Sequence, residues 1–257
     1  TSLPWKNNRV RPGAVQYTVM TATSAARGVS CLQVNTGRMR DSHDIIEVEA
    51  CKRGVDVLII SEPNKTVAKQ KQWLVDDEVN VALVIRNDDL PTGKQGRGRG
   101  FVWVEIGAYR LYSCYISPNV DMASFKTFLE DLGSSVRGTQ KITILGGDFN
   151  AKSYLWGEKQ DPRGETLTDW LSQLQLIVTN EDTTPTFVRG IQESVLDLTL
   201  CPSGCANVVQ RWEALEEETL SYLKMICFVI VEANKITQTS PTREHRGWKI
   251  EENEMPC

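Results

Sequence analysis

Two polar residues that follow an apolar run, Asp148 and Asn150, have the types and the spacing for chemistry on a phosphate. The run 141–145 predicts a buried strand, and Gly146 and Gly147 after it predict a tight turn with a close approach to another molecule. Residues two apart on extended backbone share one side. A carboxylate can accept a proton from water, and an amide can donate to a phosphate oxygen as charge builds on it. A polar turn after a strand is the competing interpretation of this segment.

Other predicted strands also end in polar residues. Strand 29–34 is followed by Asn35, and strand 55–60 is followed shortly by Glu62. A helix predicted over 41–53 separates them, and this βαβ order predicts parallel neighbours whose carboxyl ends form one edge. Tyr115 lies at the end of a further strand, and Asp197 lies within a later one.

These strand ends offer oxygen ligands without a cysteine or histidine cluster, which suits a hard cation such as Mg²⁺. Glu62 is the best single ligand, because an unpaired carboxylate at the end of a buried strand is costly, and Asn35 could support it. The absence of a nucleophilic serine or cysteine in the set indicates hydrolysis by activated water. Taken singly, Asn35 could cap a turn, Tyr115 could be a sheet-end aromatic, and Asp197 could pair with a lysine.

Length and composition are those of one large globular domain with tails. The chain has 257 residues and a net charge of −4, which excludes a generic polycation. We predict a leader or linker over 1–28, the domain over 29–232, and a linker or tail over 233–257. No apolar run approaches a membrane span and no secretory signal is seen, so an intracellular protein, nuclear or cytoplasmic, is expected.

The remaining patterns predict elements around the site. Helices are expected over 124–136 and 163–174, and further strands over 79–85 and 101–106. The glycine- and arginine-rich segment 94–100 is expected to be a mobile basic loop.

The ordered set of motifs resembles the endonuclease/exonuclease/phosphatase superfamily, and most closely the endonuclease domain of insect-type non-LTR retrotransposons. The residues that carry the resemblance are Gln33-Val34-Asn35, Ser61-Glu62-Pro63, Tyr115-Ile116-Ser117-Pro118-Asn119, Gly146-Gly147-Asp148-Phe149-Asn150-Ala151-Lys152-Ser153, Trp156-Gly157, Thr184-Pro185-Thr186-Phe187, Ser194-Val195-Leu196-Asp197, and Trp212 with 216–221.

The resemblance implies a four-layered α/β sandwich, with two mixed β-sheets packed face to face and helices outside. It implies a phosphodiesterase dependent on Mg²⁺ or Mn²⁺ that nicks double-stranded DNA to prime reverse transcription, with a reverse transcriptase domain in the parent polyprotein. The implied roles are metal binding by Glu62 and Asn35, activation of water by Asp148, contact with the scissile phosphate by Asn150 and Tyr115, and support near the metal by Asp197.

One part of the family pattern is missing. The family ends its catalytic set with Ser-Asp-His, whereas Ser221 is followed here by Tyr222 and Leu223. The lost pair would bind or protonate the phosphate, and loss of such a group costs about 10²–10⁴ in rate. Lys224 is expected to face away, because neighbouring residues in a strand alternate sides.

The chain has two histidines that could replace the missing one. His43 is expected to be solvated on the first helix, and His245 lies in the predicted tail. We therefore expect a degenerate endonuclease domain of weak or lost activity. The alternatives are an inactive nucleic-acid- or protein-binding remnant of the same fold and, on a different substrate, a phosphoinositide or nucleotide phosphatase.

Overall fold

The computed structural model describes residues 28–181, 184–216, 219 and 221–232. The predicted leader (except Gly28), the predicted tail and His245 lie outside these residues. The described strands are β1 (Val29–Asn35), β2 (Val57–Ser61), β3 (Leu74–Val75), β4 (Val81–Ile85), β5 (Thr92–Gly98), β6 (Phe101–Ile106), β7 (Tyr109–Tyr115), β8 (Ile142–Asp148), β9 (Leu176–Val178), β10 (Phe187–Arg189), β11 (Gln192–Ser194), β12 (Asp197–Pro202), β13 (Val209–Ala214) and β14 (Ile226–Ile230). The described helices are α1 (Ser42–Arg53), α2 (Lys65–Gln70), α3 (Met122–Arg137), α4 (Pro162–Gln173) and a 3₁₀ helix (Ser203–Val208).

The first large sheet has the strand order β13-β14-β1-β2-β4-β3. Strands β1 and β2 are parallel and α1 connects them, as the βαβ pattern predicted. Their register pairs Asn35 with Ser61, the residue before Glu62. Both polar strand ends therefore lie at one edge of this sheet.

The second large sheet has the order β5-β6-β7-β8-β12-β9. Parallel pairing of β7 with β8 sets Tyr115 beside Asp148, and antiparallel pairing of β8 with β12 sets Asp148 beside Asp197. Backbone hydrogen bonding alone thus brings these three candidate residues into one row.

Apolar side chains alternate along the strands, and this alternation builds the layers. On β2, Val57 and Ile59 lie in the core between the two sheets, while Leu58 and Ile60 pack with Ile46 of α1. Helices α3 and α4 cover the outer face of the second sheet, and their buried side chains include Phe125, Leu129, Trp170 and Leu171. The predicted four-layered sandwich is confirmed.

The predicted basic loop 94–100 is wrong for most of its length, because 92–98 form the edge strand β5. Glycine makes this strand possible. A Cβ at Gly96 would lie 2.5 Å from the Trp103 ring, and one at Gly98 would lie 2.2 Å from the Phe101 ring. The missing side chains leave space for two aromatic rings of β6 to lie against the edge strand.

The glycines before Asp148 also have a different function from the predicted one. Both lie inside β8, and their close approaches are within the chain. A Cβ at Gly147 would lie 1.9 Å from the Cys114 carbonyl oxygen, and one at Gly146 would lie 2.6 Å from Gln33 Oε1. Close packing within the chain, between the neighbouring strands β7 and β8 at Gly147 and between the two sheets at Gly146, requires glycine here, and not a turn toward another molecule.

His43 is buried and not solvated as expected, with 3% of its surface exposed. Its Nε2 accepts a hydrogen bond from the Asn64 backbone N–H at 3.0 Å, and its ring packs against Trp73. Burial lowers the pKa of the imidazole, and the positive charge of Lys71 lowers it further. This histidine has a structural role in joining α1 to the start of α2.

Candidate active site

Asn35 connects the two acidic residues of the site. Its Nδ2 donates to Asp148 Oδ2 at 2.9 Å and to Glu62 Oε2 at 3.2 Å, while its Oδ1 accepts from the Gly37 N–H at 2.8 Å. Asn35 and Asp148 are almost fully buried. One amide therefore holds the Glu62 and Asp148 carboxylates within reach of a common centre.

The turn after β8 is held in part by a hydrogen bond to the Asp148 side chain. The Asn150 N–H donates to Asp148 Oδ1 at 2.9 Å, and Asn150 Nδ2 donates to the Ile116 carbonyl at 3.2 Å. Glu62 and Asn150 both have positive φ angles, 49° and 46°. Such backbone is uncommon for residues other than glycine, and strain of this kind clusters at functional sites.

Tyr115 lies beside the same acidic groups, with 6% of its surface exposed. Burial raises the pKa of its hydroxyl, and the negative charges of Glu62 and Asp148 add to the increase. The phenol therefore keeps its proton at neutral pH. A cavity of about 490 Å³ opens here and is lined in part by Tyr115, Glu62 and Arg38.

Asp197 is buried, and neither of its carboxylate oxygens has a well-formed hydrogen bond with a described residue. Burial raises the pKa of this group well above its usual range, and the charge of Asp148 raises it further. Thr186 and Gln33 are near enough to oppose part of the shift. Burial also raises the pKa of Asp148, against the stabilising hydrogen bonds from Asn150 and Asn35.

Two supporting residues were missed in the sequence analysis, although both lie within quoted motifs. Gln33 is fully buried between the sheets, where its Nε2 donates to the Leu198 carbonyl at 3.4 Å and its Oε1 accepts from the Thr199 hydroxyl at 3.3 Å. The Thr186 hydroxyl accepts the backbone N–H of Asp197 at 3.1 Å. A buried glutamine in an apolar strand was the available signal.

Residues 221–223, where the resemblance would place a Ser-Asp-His motif, lie next to this cluster. The Ser221 hydroxyl donates to the Asn35 carbonyl at 2.8 Å. Leu223 pairs with Phe187, and the Lys224 N–H donates to the carbonyl of Thr186, the residue whose hydroxyl holds Asp197. A leucine side chain has no group that could donate a hydrogen bond to a carboxylate.

Two cationic side chains, Lys224 and Arg38, lie in this region, and each is held by an acidic or amide partner. Lys224 lies outside the strands, since β14 begins at Ile226, and its Nζ pairs with Glu216 Oε1 at 2.7 Å. Arg38, which the sequence analysis missed, lies 3.7 Å from Glu62 Oε1 and donates to Asn80 Oδ1 at 2.6 Å. Its guanidinium is the cation paired with the proposed metal ligand.

The donor set fits a magnesium ion better than a softer metal. Among the described residues, no three histidine, cysteine or acidic side chains form a metal-binding group. Mg²⁺, however, commonly takes one or two carboxylates and fills its remaining positions with water and substrate phosphate. Glu62, aligned by Asn35, provides such a carboxylate.

The chain is similar to known endonuclease sequences and structures. Residues 109–222 match a family model described as endonuclease-reverse transcriptase. The endonuclease domain of TRAS1, a telomere-specific non-LTR retrotransposon, superposes with a TM-score of 0.69 and 25% identity, over 79% of this chain and 98% of that one. The chain resembles a retrotransposon endonuclease domain, as its motifs predicted.

More distant structures share the fold. An AP endonuclease from Archaeoglobus fulgidus matches with a TM-score of 0.62 and 10% identity, over 79% of this chain and 99% of that one. A 3'-5' exonuclease (NExo) from Neisseria meningitidis matches with a TM-score of 0.64 and 13% identity, over 79% and 100%. A search of curated proteins finds no match. The endonuclease-like domain has nuclease ancestry, and none of its described helices is long and apolar enough to cross a membrane.

Proposed function

We propose that this chain is a divalent-metal-dependent DNA endonuclease domain whose catalysis is weakened by the replacement of its final dyad. The observation that carries the proposal is the hydrogen-bonded bridge from Asn35 Nδ2 to Asp148 at 2.9 Å and to Glu62 at 3.2 Å. This bridge places two acidic side chains from different strand ends around one buried amide, an arrangement that supports a shared metal and water site.

Each residue of the cluster has a distinct part in phosphodiester hydrolysis. Glu62 would hold Mg²⁺ or Mn²⁺, with Asn35 beside it aligning the carboxylate, and the bound ion would neutralise charge on the phosphate. Asp148 orients the attacking water and accepts its proton, and the raised pKa suits a base working near neutrality. Tyr115 donates its retained proton to a phosphate oxygen, and Asn150 donates the amide N–H that Ile116 leaves free. Asp197 supports the site from the next strand.

The proposed loss of catalytic rate follows from Leu223. An imidazole at this position could donate to Asp197 and carry positive charge toward the phosphate, and leucine does neither. The unpartnered Asp197 carboxylate supports this interpretation, since buried acidic groups normally have hydrogen-bond donors.

The substrate and partner follow from the relatives. The TRAS1 element and the family description support a double-stranded DNA target and a reverse transcriptase in the parent protein. The same unpartnered Asp197 favours the second candidate, a non-catalytic nucleic-acid- or protein-binding remnant of this fold.

A plasmid-nicking assay tests the proposal. We expect slow conversion of supercoiled plasmid to open circles in Mg²⁺ or Mn²⁺, none in EDTA, and none with Asp148→Ala. Asp169→Ala on α4 is the matched control, since it removes a carboxylate outside the site. Nicking that persists unchanged in Asp148→Ala would refute the assigned site, and a complete absence of nicking favours the binding remnant.

A further inference from the structure

The residue that replaces the family's aspartate points its ring to the surface. Tyr222 is 57% exposed, so much of its ring surface is open to a ligand. Its ring packs against Phe187 with centroids 6.3 Å apart and an interplanar angle of 68°. The guanidinium carbon of Arg189 lies 5.0 Å from the centroid of the same ring.

The backbone holds this ring in a fixed position. The Val188 N–H donates to the Tyr222 carbonyl at 2.8 Å, and the Lys224 N–H donates to the Thr186 carbonyl at 2.7 Å. These bonds attach residues 222–224 to β10 as a short third strand beside the β10–β11 hairpin. The ring is therefore presented by sheet-like backbone.

In the sequence, Tyr222 directly follows a residue that is hydrogen-bonded to Asn35 of the acidic cluster. Ser221, the preceding residue, donates to the Asn35 carbonyl at 2.8 Å, and the Asn35 side chain donates to Asp148 at 2.9 Å. A strand of nucleic acid with its phosphate at Asp148 would thus have a neighbouring nucleotide near position 222.

The positive charge of Arg189 is available to a ligand. Within the described part of the chain, its guanidinium makes no ion pair and no hydrogen bond, and its contact is with the Tyr222 ring. An exposed aromatic face beside a free guanidinium is the combination that binds a base by stacking and its phosphate by charge.

We propose that Tyr222 and Arg189, supported by Phe187, form a stacking site for an unpaired base of the DNA strand at the edge of the cleft. The inference rests on the proposed function for its ligand. The substitution that removed part of the catalytic dyad would then have strengthened strand binding at the same position.

Fluorescence anisotropy with a labelled short oligothymidylate tests the site, using the full chain in EDTA so that no cleavage occurs. Tyr222→Phe keeps the ring and should bind like the unaltered protein, whereas Tyr222→Leu should lose about tenfold or more in affinity. Arg189→Gln should bind more weakly and with a smaller salt dependence. Arg97→Gln is the matched control, because Arg97 is an exposed arginine on the distant edge strand β5.

The outcomes separate this inference from the proposed function. Equal affinity of Tyr222→Leu and the unaltered protein, or no binding of the oligothymidylate by the unaltered protein, overturns the stacking site. Thermal melting of each variant checks the fold, and Arg189→Gln gives an independent answer if Tyr222→Leu melts early. Nicking is scored in the separate plasmid assay, so metal-dependent cleavage with an indifferent Tyr222→Leu defeats the stacking site alone.

Discussion

Asp148 and Asp197 are register partners on the neighbouring antiparallel strands β8 and β12, so two buried carboxylates lie side by side in one sheet. The Asp148 carboxylate accepts hydrogen bonds from Asn35 and Asn150, whereas that of Asp197 accepts no well-formed one from the residues that the structure describes. Burial raises the pKa of both, and their proximity makes simultaneous ionisation costly.

This pair should make the metal-free protein less stable as pH rises. A carboxyl group whose pKa is raised by folding stabilises the fold below its unfolded value of about 3.9, and that stability is lost as pH rises through the folded pKa. We expect the melting temperature of Asp197→Asn in EDTA to fall less between mildly acidic and neutral pH than that of the unaltered protein. Parallel melting curves for the two proteins would contradict the assigned shift.

Divalent metal should reverse this loss at neutral pH. At Mg²⁺ concentrations about 100 times its Kd, binding to the folded state alone adds about 2.7 kcal/mol to the free energy of unfolding. Differential scanning fluorimetry should show this increase in the unaltered protein and little of it in Glu62→Gln. Glu130→Gln, on the exposed side of α3, should respond to Mg²⁺ like the unaltered protein.

Restoring the dyad should restore catalysis. Leu223→His combined with Tyr222→Asp is expected to raise the nicking rate by about 10²–10⁴. The same double change should weaken oligothymidylate binding, because the ring at position 222 is lost. An unchanged nicking rate in a correctly folded double variant would show that the lost dyad is not what limits the reaction.

The hydroxyl of Tyr115 should act on the rate and not on binding. In the dyad-restored background, Tyr115→Phe removes one donor to the phosphate and is expected to lower kcat by about 10²–10³, with KM little changed. Steady-state cleavage of a labelled duplex measures both constants. A rise in KM with kcat intact would instead assign Tyr115 to substrate binding.

Gly147 should tolerate no side chain. A Cβ there would lie 1.9 Å from the Cys114 carbonyl, so Gly147→Ala must push β7 and β8 apart and is expected to cost about 3 kcal/mol or more. Urea unfolding measures the loss. Gly204→Ala is the matched control, since a Cβ at that position meets no atom within 4 Å. Similar stability of the two variants would refute the required close packing.

The strand ends could be predicted because their signals are local. The β-branched runs before Asn35 and Glu62 predicted strands, and the intervening helix predicted their parallel pairing, which the register of β1 and β2 confirms. The motif order then predicted the fold, and the structure brings Asn35, Glu62, Asp148 and Asn150 together.

Other features could not be predicted, since they depend on contacts between residues far apart in sequence. The edge strand β5 exists because rings from β6 lie over its glycines, whereas the segment itself has the composition of a loop. Burial of His43 depends on Trp73 and Asn64. The contact of Thr186 with Asp197 joins residues from two different segments and is seen only in the folded chain.

The hydrogen bond from Asn35 to Asp148 crosses from β1 in one sheet to β8 in the other. Buried residues between the sheets, such as Ile59 and Val104, therefore set the gap that these groups must span, although they carry no reactive atom. Substitutions in this apolar core can therefore shift the Asp148 carboxylate relative to Asn35 while every polar residue of the site is retained. A comparison of related chains that scores the polar residues alone would overlook such changes.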